Sequence, residues 1–377
     1  MSARDHAWLQ RRAAGLLLHL SSLPGPGSCG ALGKEAHRFI DYLGECGFRV
    51  WQLLPVGPTG PDGSPYQCTS SHAGNPRFIA LDYLVERGWL DAADATEAQA
   101  DDAARQEALG WAYTGFRQRA DEQARVAFLH FIEAQAHWLE DFALFQAVHD
   151  ECCAAWWDWP VGLRDREPQA MAEARARLAR QIDQVRFQQF VFFEQWAALR
   201  AHAHARGVRL FGDLPIFVAP DSSEVWAERE FFHLGPDGLP TVVAGVPPDY
   251  FSATGQRWGN PLYRWDVLHA DGFSFWVERL RSQLQLFDFV RIDHFRGFEA
   301  YWEIPANEPN AVKGHWVPGP GDLLFERLRA ELGELPLVAE DLGVITDAVK
   351  ALRDRQGLPG MKILQFAFSG GPDNPYL

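Results

Sequence analysis

Short apolar runs, each ending in polar or glycine-rich residues, recur along this chain: Leu16–Leu23, Val50–Val56, Val208–Val218, Phe287–His294, Leu335–Glu340 and Met361–Phe368. Continuous runs of this kind suit strands buried on both faces of a parallel sheet. Helical patterning lies between most of them, so the chain predicts repeated strand–helix units of an α/β protein. Six such strands are two short of a (β/α)8 barrel of the TIM type. The interval from about Pro61 to Gly207 is too long for one crossover. Two mainly helical stretches, about 117–150 and 168–206, fill it and predict a helical subdomain inserted after the second strand. Its last helix carries Phe187, Phe190, Val191, Phe192, Phe193 and Trp196, apolar nearly all round, which predicts a buried helix. Gly207 is its candidate C-cap. The organisation expected is a barrel start over 1–60, the insert over 61–207, and the barrel's continuation over 208–377. The Ala/Asp/Glu-rich stretch Asp91–Gln106 is a candidate mobile segment.

Composition narrows the function classes. With 47% apolar and 23% charged residues the chain can bury a large core. A formal charge of −15 with no basic cluster gives nothing to gather phosphates, so no nucleic-acid partner is expected. Fifteen Trp, eight Tyr and 26 Phe suit a neutral sugar as well as a core. The five cysteines are odd in number and form no C-x-x-C pair, which fits a reducing compartment. The apolar run Gly15–Leu20 is interrupted by His19 and is too short for an export signal or a span. The reading is a cytoplasmic protein with no membrane partner. Cys68 and His72 fall short of the three or four ligands a metal site needs, so no metal and no cofactor are expected.

The chemistry is concentrated at two strand ends. In Phe287-Asp288-Phe289-Val290-Arg291-Ile292-Asp293-His294-Phe295-Arg296-Gly297, the period of two puts Arg291 and Asp293 on one face and His294 on the other. A neighbouring arginine favours the ionised carboxylate that a nucleophile must be. On these residues alone, a buried ion pair closing the strand competes with that reading. The run Leu335–Val338 leads into Ala339-Glu340-Asp341, where a solvated strand end or a helix N-cap competes with catalysis. Parallel strands of one barrel bring their C-terminal ends to one rim, where two such carboxylates can face each other. Retaining glycoside chemistry uses a pair about 5 to 5.5 Å apart, one attacking and one exchanging a proton. His294 reads as a packed histidine, Asp213 could be an N-cap, and Tyr66, Tyr250 and Trp258 could be packed turn residues.

Several motifs resemble one family. Gly15-Leu16-Leu17-Leu18 through Ser21-Ser22-Leu23-Pro24-Gly25, Trp51-Gln52-Leu53-Leu54-Pro55-Val56-Gly57-Pro58-Thr59-Gly60, Ser64-Pro65-Tyr66-Gln67 and Ala73-Gly74-Asn75-Pro76 open the match. Phe211-Gly212-Asp213-Leu214-Pro215-Ile216-Phe217-Val218, Val246-Pro247-Pro248-Asp249-Tyr250-Phe251, Gly255-Gln256-Arg257-Trp258-Gly259-Asn260-Pro261 and the two strand ends complete it. Together they resemble the 4-α-glucanotransferases, or amylomaltases, of glycoside hydrolase family 77. The resemblance implies Asp293 as nucleophile and Glu340 as acid/base. It implies Arg291, Asp213 and Tyr66 around the −1 sugar, and Tyr250, Phe251 and Trp258 on a mobile acceptor-side loop at about 245–262.

The implied activity is transfer of a 1,4-α-glucan segment to the 4-hydroxyl of glucose or another glucan by a retaining double displacement. Maltooligosaccharides and glucose would be the partners. An α-glucan hydrolase, or a glucan-binding fragment with little activity, are the alternatives. The family's third carboxylate, in a His-Asp motif on strand seven, would follow Met361–Phe368, and the chain ends at Leu377. The expectation is therefore a barrel without strands seven and eight.

Overall fold

Five of the six apolar runs supply strands in the computed structural model, which describes residues 11–374 apart from 26, 28, 61, 100, 251, 369, 370 and 373. They are β1 (Gly15–Leu17), β2 (Val50–Gln52), β3 (Arg209–Pro215), β6 (Phe289–Asp293) and β9 (Leu337–Ala339). They form one sheet in the order β1-β2-β3-β6-β9, parallel throughout. Each strand is shorter than its apolar run because the residues after it leave the ladder to form loops. The register sets Asp213 beside Arg291 and Arg291 beside Val338. Three neighbouring strands thus deliver their ends to one place.

The sixth run does not become a strand. Leu364–Phe368 is a 3-10 helix, and the described residues form no closed barrel. The reason is local: the Met361 N–H, which a ladder would use, donates to Asp341 Oδ1 at 2.7 Å. Ala339 N–H reaches Pro359 O at 2.8 Å before the chain turns away.

Helices fill the long interval between β2 and β3. The main ones are α2 (Asp102–Arg119), α3 (Glu122–Ala134), α4 (Ala136–Cys152) and α5 (Ala179–Ala205), following α1 (Lys34–Glu45) between β1 and β2. The stretch expected to be mobile carries helical segments: Ala92–Glu97 is helical and α2 begins at Asp102, capped by Asp101. Gly207, at φ +71°, ends α5 as its residue type demands.

Helix α5 is buried, but not only by apolar side chains. Gln188, Gln189 and Gln195 are buried as well. Gln189 brackets Gly74, accepting from its N–H at 2.8 Å and donating to its carbonyl at 2.9 Å. Gln195 does the same to Ala80 at 2.8 and 3.1 Å. Gly74 lies so close to Phe192 that an added Cβ would sit 2.0 Å from the ring. These contacts pin the loop after β2 to the helix. One continuous core joins the helices to the sheet, with Trp196 stacked on Phe192 and donating to Leu286 O at 2.8 Å.

A second sheet was not expected. Strands β4 (Val242–Val246), β5 (Gln256–Pro261), β7 (Ala300–Pro305) and β8 (His315–Pro318) pair antiparallel in the order β5-β4-β7-β8. The anticipated loop at about 245–262 is therefore largely a hairpin, with Tyr250 in its connection. It docks on the end of β3: Asn260 donates to Val218 O at 2.8 Å, and Tyr263 to Ile216 O at 2.9 Å. Among the described residues, no helix is long and apolar enough to cross a membrane.

Asp288, just before β6, ties three elements together. Its carboxylate accepts from Leu210 N–H at 2.8 Å, Arg200 at 2.9 Å and His204 at 2.8 Å. Burial pushes its pKa up, but Arg200, the Leu210 N–H and His204 outweigh that and hold it below the usual carboxylate range. Asp288→Ala should cost about 3 kcal/mol or more in chemical denaturation, because Arg200 and the Leu210 N–H lose their acceptor. A group with a depressed folded pKa stabilises above the unfolded carboxylate range. The wild-type advantage should therefore be full at neutral pH and fade as pH falls through the lowered value.

Candidate active site

The ends of β3, β6 and β9 carry Asp213, Arg291 with Asp293, and Glu340, and the loop after β2 brings in Tyr66. Arg291 organises the group. Its Nη1 lies 2.8 Å from both oxygens of Asp213, and its Nη2 lies 2.5 Å from Asp293 Oδ1. The side chains two apart on β6 thus share a face, as the strand period requires. Asp213 is 1% exposed, so it is an interior strand residue rather than an N-cap.

Tyr66 donates its hydroxyl to Asp213 Oδ2 at 2.7 Å. Its loop is held at several points. Thr69 N–H reaches Pro58 O at 2.8 Å, and Ser70 Oγ and Ser71 N–H both donate to Glu224 Oε1, at 2.6 and 2.9 Å.

The carboxylates differ in environment. Burial raises Asp213 to about 6, against the opposing pull of Arg291 and the Tyr66 hydroxyl, so it remains ionised at neutral pH. Arg291 is itself disfavoured by burial, but Asp213 and Asp293 outweigh that and keep it charged. Glu340 is pushed up by burial and by the Asp293 charge, while the Leu342 and His294 N–H groups pull it down. A net rise suits a carboxyl that must hold a proton at working pH. Asp293, ion-paired and half-exposed beside it, suits attack.

The other expected residues divide. Trp258 on β5 meets the His294 ring edge to face at 4.8 Å, which places it over the end of β6. Tyr250 is 96% exposed. Phe251 lies outside the described residues. Asp341, beside Glu340, is engaged elsewhere, accepting from Arg353 and from Met361 N–H.

Cys68 donates to Pro65 O, and His72 Nδ1 pairs with Ser282 Oγ at 2.7 Å. Among the described residues, no group of three or more His, Cys, Asp or Glu could hold a metal ion.

Sequence reasoning missed the part played by the backbone. His294 N–H donates to Glu340 Oε2 at 2.9 Å, and Leu342 N–H to Glu340 Oε1 at 2.8 Å. His294 sits in the left-handed region, at φ 57° and ψ 47°, a conformation that residue type does not announce.

Three parallel strand ends gather three carboxylates around one arginine, and retaining glycosyl chemistry uses a pair of carboxylates. Comparison with known proteins agrees. The family model described as 4-alpha-glucanotransferase matches residues 18–377. The chain is 56% identical to the 4-alpha-glucanotransferase of Thermus thermophilus over 97% of its length and 75% of that protein's. It is 46% identical to the enzyme of that name from Synechocystis, over 98% of its length and 76% of the relative's. The structure of an amylomaltase from Streptococcus agalactiae in complex with acarbose superposes with a TM-score of 0.93 at 36% identity, covering 97% of this chain and 76% of that one. These matches run along nearly all of the chain and cover about three quarters of each relative's length. The chain belongs to the 4-α-glucanotransferase (amylomaltase) family, glycoside hydrolase family 77.

Proposed function

We propose that this chain moves a segment of a 1,4-α-D-glucan from a donor to the 4-hydroxyl of glucose or another glucan, with Asp293 as nucleophile and Glu340 as acid/base. The observation that carries this reading is the Arg291 clamp joining Asp213 on β3 to Asp293 on β6, the strand adjacent to the one that leads into Glu340. In the first step an Asp293 oxygen attacks the anomeric carbon as its bond to the leaving oxygen breaks, and the Glu340 proton passes to that oxygen. In the second, the acceptor's 4-hydroxyl gives its proton to Glu340 and attacks the same carbon, freeing Asp293. Two inversions leave the α configuration intact.

Arg291 serves by fixing the position of Asp293 through an ion pair to its Oδ1. Asp213, oriented by Tyr66, supplies a buried acceptor for hydroxyls of the −1 sugar. The acarbose complex of the Streptococcus agalactiae relative supports a maltooligosaccharide-like ligand for this cleft. Trp258 offers an aromatic face on the acceptor side, next to the carboxylates, and the hairpin with Tyr250 and residue 251 is assigned to the same side. Shielding the ester from water by such an aromatic wall favours transfer over hydrolysis. The relatives are named as transferases, and the hydrolase reading is not favoured.

We read the five parallel strands as a sector of a (β/α)8 barrel, supported by their sequential order and by a site at their C-terminal ends. The helices of 61–207 are read as an insertion into that barrel. A cytoplasmic location is supported by five cysteines that are all free thiols.

Incubation with maltotriose should yield glucose together with oligosaccharides longer than the donor; glucose and maltose alone would overturn the transferase reading. Asp293→Asn should lower kcat by roughly 10³-fold or more with the fold unchanged by circular dichroism. The acid side of the kcat/KM profile should fall near pH 6, as Asp213 protonates and releases Arg291. Tyr66→Phe removes a bond that favours the ionised form, so that limb should move to higher pH.

A further inference from the structure

Strand β6 does not continue past Asp293. In a regular strand successive N–H groups point to opposite sides, so only alternate residues can address one neighbour. Here the N–H groups of two consecutive residues address the same one. His294 N–H donates to Glu340 Oε2 at 2.9 Å, and Phe295 N–H to the Glu340 carbonyl at 3.2 Å. Two residues earlier, Ile292 O accepts from Glu340 N–H at 3.0 Å. The left-handed backbone of His294, followed by the 3-10 turn from Phe295, is what brings the two N–H groups to one side. Successive N–H groups gathered in this way form a concave anion site. A non-glycine residue in this region carries a conformational cost, and such costs collect where function depends on the shape.

The imidazole does no comparable work on Glu340. Its Nε2 is buried without a hydrogen-bond partner among the described residues, and its ring packs against Trp258. Burial, reinforced by Arg296, lowers its pKa to about 3, so the ring is neutral at working pH.

We propose that His294 is the positioning residue of the acid/base: its left-handed backbone, not its ring, aims the N–H that fixes Glu340 Oε2 for proton transfer. This deepens the function proposed above and rests on Glu340 being the acid. The His294 N–H stabilises the carboxylate form, so, with Leu342 N–H, it helps set the pH at which Glu340 gives up its proton as well as its orientation. Leu342 N–H holds the other oxygen, and the two together leave the carboxyl little freedom to turn.

The test separates backbone from ring. His294→Gly and His294→Asn accept the left-handed conformation and lose the imidazole, while His294→Ala and, more strongly, His294→Val resist that conformation. Two donors are compared by kcat/KM, which reports the first chemical step: maltotriose, whose leaving group needs a proton, and α-maltosyl fluoride, whose fluoride leaves without one. For His294→Val, kcat/KM with maltotriose should fall on the order of 10-fold to 100-fold, and with the fluoride far less. Its basic limb with maltotriose should move up by about one pH unit, because a bond to the charged form is lost. His294→Gly and His294→Asn should keep that limb in place, with His294→Ala between them and His294→Val.

Should His294→Val fail to fold, the same ordering is read from the alanine, glycine and asparagine variants. A glycine variant whose limb shifts as much as that of the alanine or valine variant would overturn the proposal in favour of the ring. So would a valine variant, or in its place an alanine variant, that leaves the limb unmoved or loses both donors equally. Glu340→Gln distinguishes failure of the underlying reading. If Glu340 is the acid, this variant loses maltotriose turnover and keeps much of its first-step rate with the fluoride. An equal loss on both donors would reject Glu340 as the acid.

Discussion

One guanidinium, that of Arg291, makes the rest of the site physically possible. Asp213 is almost fully buried, and Asp293 lies beside it on the neighbouring strand. Two carboxylates this close, with a third following on β9, would repel one another and take up protons if left unpaired. Arg291 spans both, its Nη1 shared between the two Asp213 oxygens and its Nη2 on Asp293. Burying such a network costs desolvation that no single pair returns, so the geometry must be held from outside. That requirement accounts for much of what surrounds it.

The surrounding support comes from three directions. From below, the parallel ladder fixes Asp213 opposite Arg291, and Asp288 locks the start of the same two strands through the Leu210 N–H. From the side, the helical segment holds the Tyr66 loop, with Gln189 and Gln195 satisfying backbone groups that no strand or helix pairs. Buried amides are costly unless they are paired, and here each glutamine pairs a donor and an acceptor at once. From above, the antiparallel sheet docks on the residues after β3 and brings Trp258 against His294.

The two carboxyls that the chemistry separates are treated differently by this support. Asp293 is gripped by a charged side chain, the Arg291 guanidinium. Glu340 is gripped by two neutral main-chain N–H groups in a buried setting, which moderates its affinity for a proton without abolishing it. In the proposed double displacement one role needs a fixed charge and the other a movable proton, and the difference between a guanidinium and a peptide N–H would serve both.

The sequence by itself determined the parallel strand–helix alternation, the shared face of Arg291 and Asp293, the buried helix with its glycine end at Gly207, and the family. Each follows from local periodicity, residue type or motif, which the chain carries wherever it folds. Only the tertiary structure decided that Met361–Phe368 is not a strand, since Asp341 competes for the backbone group a ladder would need. It also decided that the acceptor-side segment is a hairpin in a second sheet, because β4, paired with β5 on one edge, finds its other partner in β7, far along the chain. The His294 N–H bond to Glu340 belongs to the same class. It joins residues 46 apart through a backbone angle that no side-chain pattern encodes, so it exists only once β6 and β9 lie side by side.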